Sequence, residues 1–73
     1  MNDKKVLSEL IISDSTSLMN AMRKMDEIGR KLLIVVKESR FLSLISLGDI
    51  QRAIINNIEL NLPVSGISRE INV

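Results

Sequence analysis

The sequence predicts an α+β fold bordering on α/β: a small sheet with two helices on one face, in the order (β)-α-β-β-α. Three features predict it. Leu18, Ala21, Met22, Met25 and Ile28 recur at spacings of three and four, the stripe of an amphipathic helix. Leu32-Leu33-Ile34-Val35-Val36 is an uninterrupted apolar run, as in a strand covered on both faces. Ile50, Ala53, Ile54 and Ile58 form a second helical stripe, with Gln51, Arg52 and Asn56 off it. Neither helix can bury its stripe alone, so both must share the sheet.

Taken in order, Val6 to Ile12 is apolar with Ser8 and Glu9 inside it, and its residues leave open whether it is a short helical turn leading into a strand. Ser13-Asp14-Ser15-Thr16-Ser17 is a run of turn and cap formers. Ser17 suits the N-cap of the first long helix and Gly29 the left-handed residue that ends it. Arg23, Lys24, Arg30 and Lys31 place positive charge toward the negative end of its dipole. Met19, Met22 and Met25 read as core and rim filler at helical spacing. After the apolar run, the four-residue polar connection Lys37-Glu38-Ser39-Arg40 predicts an antiparallel hairpin into a strand from Phe41 to Ser46. A second helix starts near Leu47, loosens at Asn56-Asn57 and Asn61, and cannot pass Pro63.

Composition excludes several function classes. Seventy-three residues make one domain at most, with a thin core. There is no cysteine for disulfides, and no histidine for a zinc site or a Ser-His-Asp triad. Of the usual staples for a small domain, oligomerisation is the one left. Ten basic against nine acidic residues give a net charge of +1 with no basic stripe, so nucleic acid has no electrostatic footing. Phe41 is the one aromatic residue, too few for a base-stacking platform. The longest apolar run is far below the ~20 residues of a membrane span. Met1-Asn2-Asp3-Lys4-Lys5 lacks the apolar segment of a signal peptide, which makes the cytoplasm the expected compartment.

After Pro63 the chain starts over. Leu7-Ser8-Glu9-Leu10 aligns with Val64-Ser65-Gly66-Ile67, which suggests a unit at 1–62 and a linker or the opening of a second copy at 63–73.

The segment Ser17 to Met25, the strand Leu32 to Val36, and Ser43-Leu44-Ile45-Ser46-Leu47-Gly48-Asp49 followed by Ile50 resemble, in that order and spacing, the CBS (cystathionine beta-synthase) motif. The resemblance covers about residues 6 to 60. It implies a single CBS motif, half of a paired Bateman module, acting as a non-catalytic regulatory domain that needs no cofactor and responds to an AMP- or ATP-type effector. In the family the signature's Thr and Asp hold phosphate or ribose. Carried over, these roles fall to Ser46 and Asp49, with backbone near Ser13 and Leu33 facing the base. Two departures stand out: Ser43 replaces the family's glycine, and Ser46 its more usual threonine. Met25 to Val36 and Leu47 to Ile55 are further similar to the CBS pair preceding bacterial sugar-1-phosphate nucleotidyltransferase domains, such as mannose- or glucosamine-type guanylyltransferases. That likeness implies an attached catalytic domain and a nucleotide or nucleotide sugar as effector.

The same residues have a plainer reading. Ser46-x-x-Asp49 is a capping arrangement, and every helix needs its first N–H groups satisfied whether or not a nucleotide arrives. A purely structural assembly domain is therefore the alternative function. Both readings expect a second CBS motif as partner, by homodimerisation or in the same parent chain. With one full motif here the expectation is a homodimer with an isologous contact, for which the helix faces around Met19, Ile55 and Ile58 are candidates.

Overall fold

The computed structural model describes residues 3–67 and 69–70, with side chains from 7 to 67. Helix α1 (Asp3–Leu10) runs directly into strand β1 (Ile11–Ser13). Helix α2 (Leu18–Ile28) comes next, then the hairpin β2 (Leu32–Lys37) and β3 (Arg40–Ser46), then helix α3 (Leu47–Ile55). A 3-10 turn (Val64–Gly66) and the two-residue strand β4 (Arg69–Glu70) complete the described residues. The sheet order is β1-β2-β3-β4; β1 is parallel to β2 and the other pairs are antiparallel. The α+β architecture with α2 and α3 on one face is the one expected, and the open segment at the front contains both a helix and a strand.

Helix α2 starts where Ser17 accepts the Asn20 N–H at 3.1 Å. It ends at Gly29, whose φ of 68° is the left-handed conformation that a residue with a Cβ resists. Arg30 N–H then reaches back to the Met25 carbonyl at 3.0 Å. The N–H groups of its first two residues are taken by the segment after α3: Leu18 N–H donates to the Leu62 carbonyl and Met19 N–H to that of Leu60, both at 2.9 Å. No anion is needed at this helix terminus, because backbone carbonyls already fill it.

The hairpin is tighter than the polar connection suggested. Glu38 and Ser39 have φ of 51° and 64°, the two positive angles of a type I′ turn, although neither is Gly or Asn. Along β2 and β3 the register jumps from Val35–Ser43 to Val36–Phe41, so Leu42 is the extra residue of a bulge.

The core lies between the sheet and the two helices. Leu18, Ala21 and Met25 from α2, Ile50 and Ala53 from α3, and Ile12, Leu33, Val35 and Ile45 from the sheet are buried together. Val64 joins them with no exposed surface. Residues 63–67 therefore pack on this unit, held by Val64 N–H to the Thr16 carbonyl at 2.8 Å and a bridge between Ser17 and Pro63. The rest of the expected second opening, residues 68 and 71–73, lies outside the described residues.

Two expectations need correcting. The apolar run of β2 is fully buried on one face only: Leu33 and Val35 are buried, whereas Leu32 is exposed and Ile34 and Val36 are half-buried. Its composition suits a strand that is covered on both faces, but the described residues bury one face and only partly cover the other. In α3 the stripe is narrower than expected. Ile50 and Ala53 are buried, but Ile54 points outward and Ile58 lies beyond the helix end, where it packs on the core from a loop. Ile55 is 75% exposed. Among the described residues no helix is long and apolar enough to cross a membrane.

Candidate functional site

The first turn of α3 holds the expected signature. Strand β3 ends at Ser46, which is extended (φ −105°, ψ 162°), and the chain turns into α3 one residue later. Ser46 Oγ accepts the Asp49 N–H at 3.1 Å, and Asp49 Oδ2 accepts from both Ser46 N–H and Ser46 Oγ at 2.9 Å. This is a complete capping box. The Leu47 N–H donates to the Lys31 carbonyl at 2.9 Å, tying the start of α3 to the start of β2.

Asp49 also has a partner that sequence reasoning missed. Arg52 Nη2 lies 2.6 Å from Asp49 Oδ1, one helical turn on. The signal is an acidic and a basic residue at i and i+3, a spacing that brings side chains together on a helix.

The four expected ligand residues do not form one cluster. Ser46 pairs with Leu32 across the hairpin and Leu33 pairs with Ile45, so Leu33 is one register step from Ser46. The Leu33 side chain is in the core, which leaves only its backbone to offer. Ser13 pairs with Val36, four residues along β2 from Leu32. At the rise of an extended strand that separates it from the Ser46 end by roughly 13 Å. Ser13 is exposed and its hydroxyl is engaged locally, with Ser15 Oγ at 2.9 Å and Ser15 N–H at 3.2 Å.

Two hollows border α3, one along its length and one at its start. One, of about 220 Å³, is lined by Asp49, Arg52, Ala53, Asn56, Ile58 and Ile67. The other, of about 450 Å³, lies between the end of α2 and Leu47, with Met22 and Met25 in its lining and Asp26, Arg30 and Lys31 beside them. Among the described residues no group of histidine, cysteine and carboxylate side chains has the arrangement of a metal site.

Ser43, which stands where the CBS signature that this sequence resembles has glycine, is fully buried, and its hydroxyl has no hydrogen-bond partner among the described residues. A buried hydroxyl without a partner costs on the order of 1–3 kcal/mol. Ser43→Ala is therefore expected to stabilise the domain by about 1 kcal/mol, raising Tm by roughly 4–8 °C for a domain of this size. A thermal melt followed by circular dichroism checks this, and a lower Tm would show that the hydroxyl is satisfied after all.

No protein-family model matches the sequence, and no curated protein matches it. Solved structures do. A CBS domain protein from Pyrobaculum aerophilum, complexed with AMP, matches with a TM-score of 0.78 at 18% identity, over 88% of this chain and 52% of its own. An uncharacterized conserved protein from Pyrococcus horikoshii matches at 0.79 and 26% identity, over 88% and 50%. A cystathionine beta-synthase domain protein fused to a Zn-ribbon-like domain matches at 0.79 and 11% identity, over 86% and 93%. The chain has the α+β fold of a single CBS motif. It spans about half the length of the first two matched chains.

Proposed function

We propose that this chain is a non-catalytic regulatory module that senses a phosphorylated adenosine-type nucleotide, or a nucleotide sugar, in a cleft completed by a second CBS motif. The observation that carries this reading is the Ser46–Asp49 pair. A hydroxyl and a carboxylate sit together at a sheet end, and Asp49 lines a hollow of about 220 Å³. That volume is below the ~300–1,000 Å³ typical of small-molecule sites, as expected of half a cleft. The AMP bound by the Pyrobaculum aerophilum protein supports the ligand class. Ser46 and Asp49 supply the polar contacts, with backbone near Leu33 beside them and backbone near Ser13 acting from the opposite end of β1. A ligand that favours one packing of the two motifs biases whatever they are attached to. We extend the proposal to an attached sugar-1-phosphate nucleotidyltransferase on the strength of the two sequence segments alone.

A second reading, assembly without a ligand, is favoured by one observation: the capping box already occupies the Ser46 hydroxyl and Asp49 Oδ2. Calorimetric titration of the 73-residue chain with AMP, ATP and GTP separates the two. The expected result is heat with the adenosine nucleotides, lost in Asp49→Ala while sedimentation still shows the paired species. Heats at the buffer level for every nucleotide would remove the ligand and leave assembly as the function.

A further inference from the structure

Resting on the nucleotide reading, the geometry points to Arg52 as the residue that sets which ligands the Ser46–Asp49 pair accepts: its guanidinium is a built-in occupant of the carboxylate, and a ligand must either displace it or bind it. An ionised carboxylate has about four lone-pair sites. At least three are taken, two on Oδ2 by the Ser46 N–H and hydroxyl and one on Oδ1 by Arg52. A ribose diol brings two donors, so it cannot bind Asp49 side by side without removing one of these partners.

The two kinds of partner differ in how firmly they are held. The Ser46 contacts close the N-terminus of α3 and are part-buried, so breaking them exposes the helix start. The Arg52 side chain is 57% exposed against 13% for Asp49, and an ion pair with one partner in solvent contributes little net stability. Arg52 is the partner that leaves.

A displaced guanidinium stays near its anion. Arg52 Nη1 lies 3.6 Å from where a Cβ on Gly48 would stand, as does Ser46 Oγ, so the guanidinium lies over the first turn of α3 beside the hydroxyl. Arg52 also lines the same hollow as Asp49. From there its planar fork can meet a phosphate with two parallel hydrogen bonds, which a point-charge lysine reproduces poorly. A nucleoside without phosphate has to break the Arg52–Asp49 pair and gives Arg52 nothing in return. A nucleoside phosphate breaks the same pair and supplies the guanidinium with a new anion. The site therefore favours phosphorylated nucleosides over free ones, and Arg52 makes the distinction.

Calorimetry of the full chain with adenosine and with AMP, on wild type, Arg52→Gln and Arg52→Lys, tests this. The expected pattern is opposite in sign for the two ligands. In Arg52→Gln, adenosine binds up to ~5-fold more tightly as the competing ion pair is lost. AMP binds ~10-fold or more weakly as a charge-assisted contact is lost. Arg52→Lys recovers only part of the AMP affinity. Circular dichroism confirms that the exposed substitutions leave the fold intact. AMP binding that is unchanged in Arg52→Gln, or both ligands shifted in the same direction, overturns the role of Arg52 and leaves the nucleotide reading standing. Absence of heat with AMP in all three proteins overturns that reading and this one together.

Discussion

Val64→Asp is expected to abolish the cooperative unfolding transition of the domain, leaving it unfolded without denaturant. Val64 has no exposed surface and sits in the cluster with Leu18, Ile45 and Ile50. A carboxylate there has no basic side chain among the core residues, and an unpaired buried charge costs several kcal/mol even after relaxation. Native stabilities run at about 0.05–0.15 kcal/mol per residue, or roughly 4–11 kcal/mol for this chain, so one such group consumes most of the total. The substitution also unseats the segment that caps α2, because the Leu60 and Leu62 carbonyls reach Met19 and Leu18 only while Val64 anchors the adjoining turn. Val64→Ala is the graded control. It removes two buried carbons and is expected to cost about 2 kcal/mol with the fold retained. With no tryptophan or tyrosine in the chain, far-UV circular dichroism during urea unfolding is the appropriate probe. An unchanged midpoint in Val64→Asp would mean that residues 63–67 do not belong to this unit and serve only a neighbouring one.

The features legible in the residues and those hidden in them divide along physical lines. Helix α2 was legible because its signals are local: a Ser17 cap, a stripe at spacings of three and four, and a glycine placed for the left-handed ending. The capping box at Ser46 and Asp49 was legible for the same reason. The turn at Glu38-Ser39 was not, because the hairpin forces two positive φ angles on residues that do not advertise them. An eight-residue helix such as α1 draws little from its own propensity, so the first residues left helix and strand undecided, and both are present. Val64 was hidden by the offset likeness to the N-terminus, which makes the segment after Pro63 resemble a fresh opening. Its burial depends on the chain returning past α2, a contact between residues far apart in sequence. Arg52 was visible as a charge three residues from Asp49, yet the stripe pattern only places it off the apolar face and assigns it no partner.

The second large effect concerns the face of the sheet that the described residues leave only partly covered. Ile34 is directly opposite Ile11 on one side and Leu44 on the other, which makes an apolar row across three strands. Ile11 is exposed, Ile34 and Leu44 are half-buried, and Leu32 stands exposed one alternation away on the same strand face. Buried β2 residues Leu33 and Val35 point to the helices, so Ile34 points away from the core. Ile34→Glu is accordingly expected to leave secondary structure and melting nearly intact in the single copy while weakening self-association at least ~100-fold. In a twofold pair the substitution enters twice, and two carboxylates brought into one dry interface cost both desolvation and mutual repulsion. Sedimentation equilibrium across a dilution series reads the result. Ile55→Glu provides the comparison: Ile55 is three-quarters exposed on the outward flank of α3, so a pair joined through helices would dissociate with this variant and not with Ile34→Glu. A wild-type chain that sediments as a stable single copy would mean that this sheet face is not where pairing occurs. The second half of the cleft at Asp49 would then have to come from a different motif rather than from another copy of this chain, and the titration with AMP decides whether the nucleotide site stands without the homodimer.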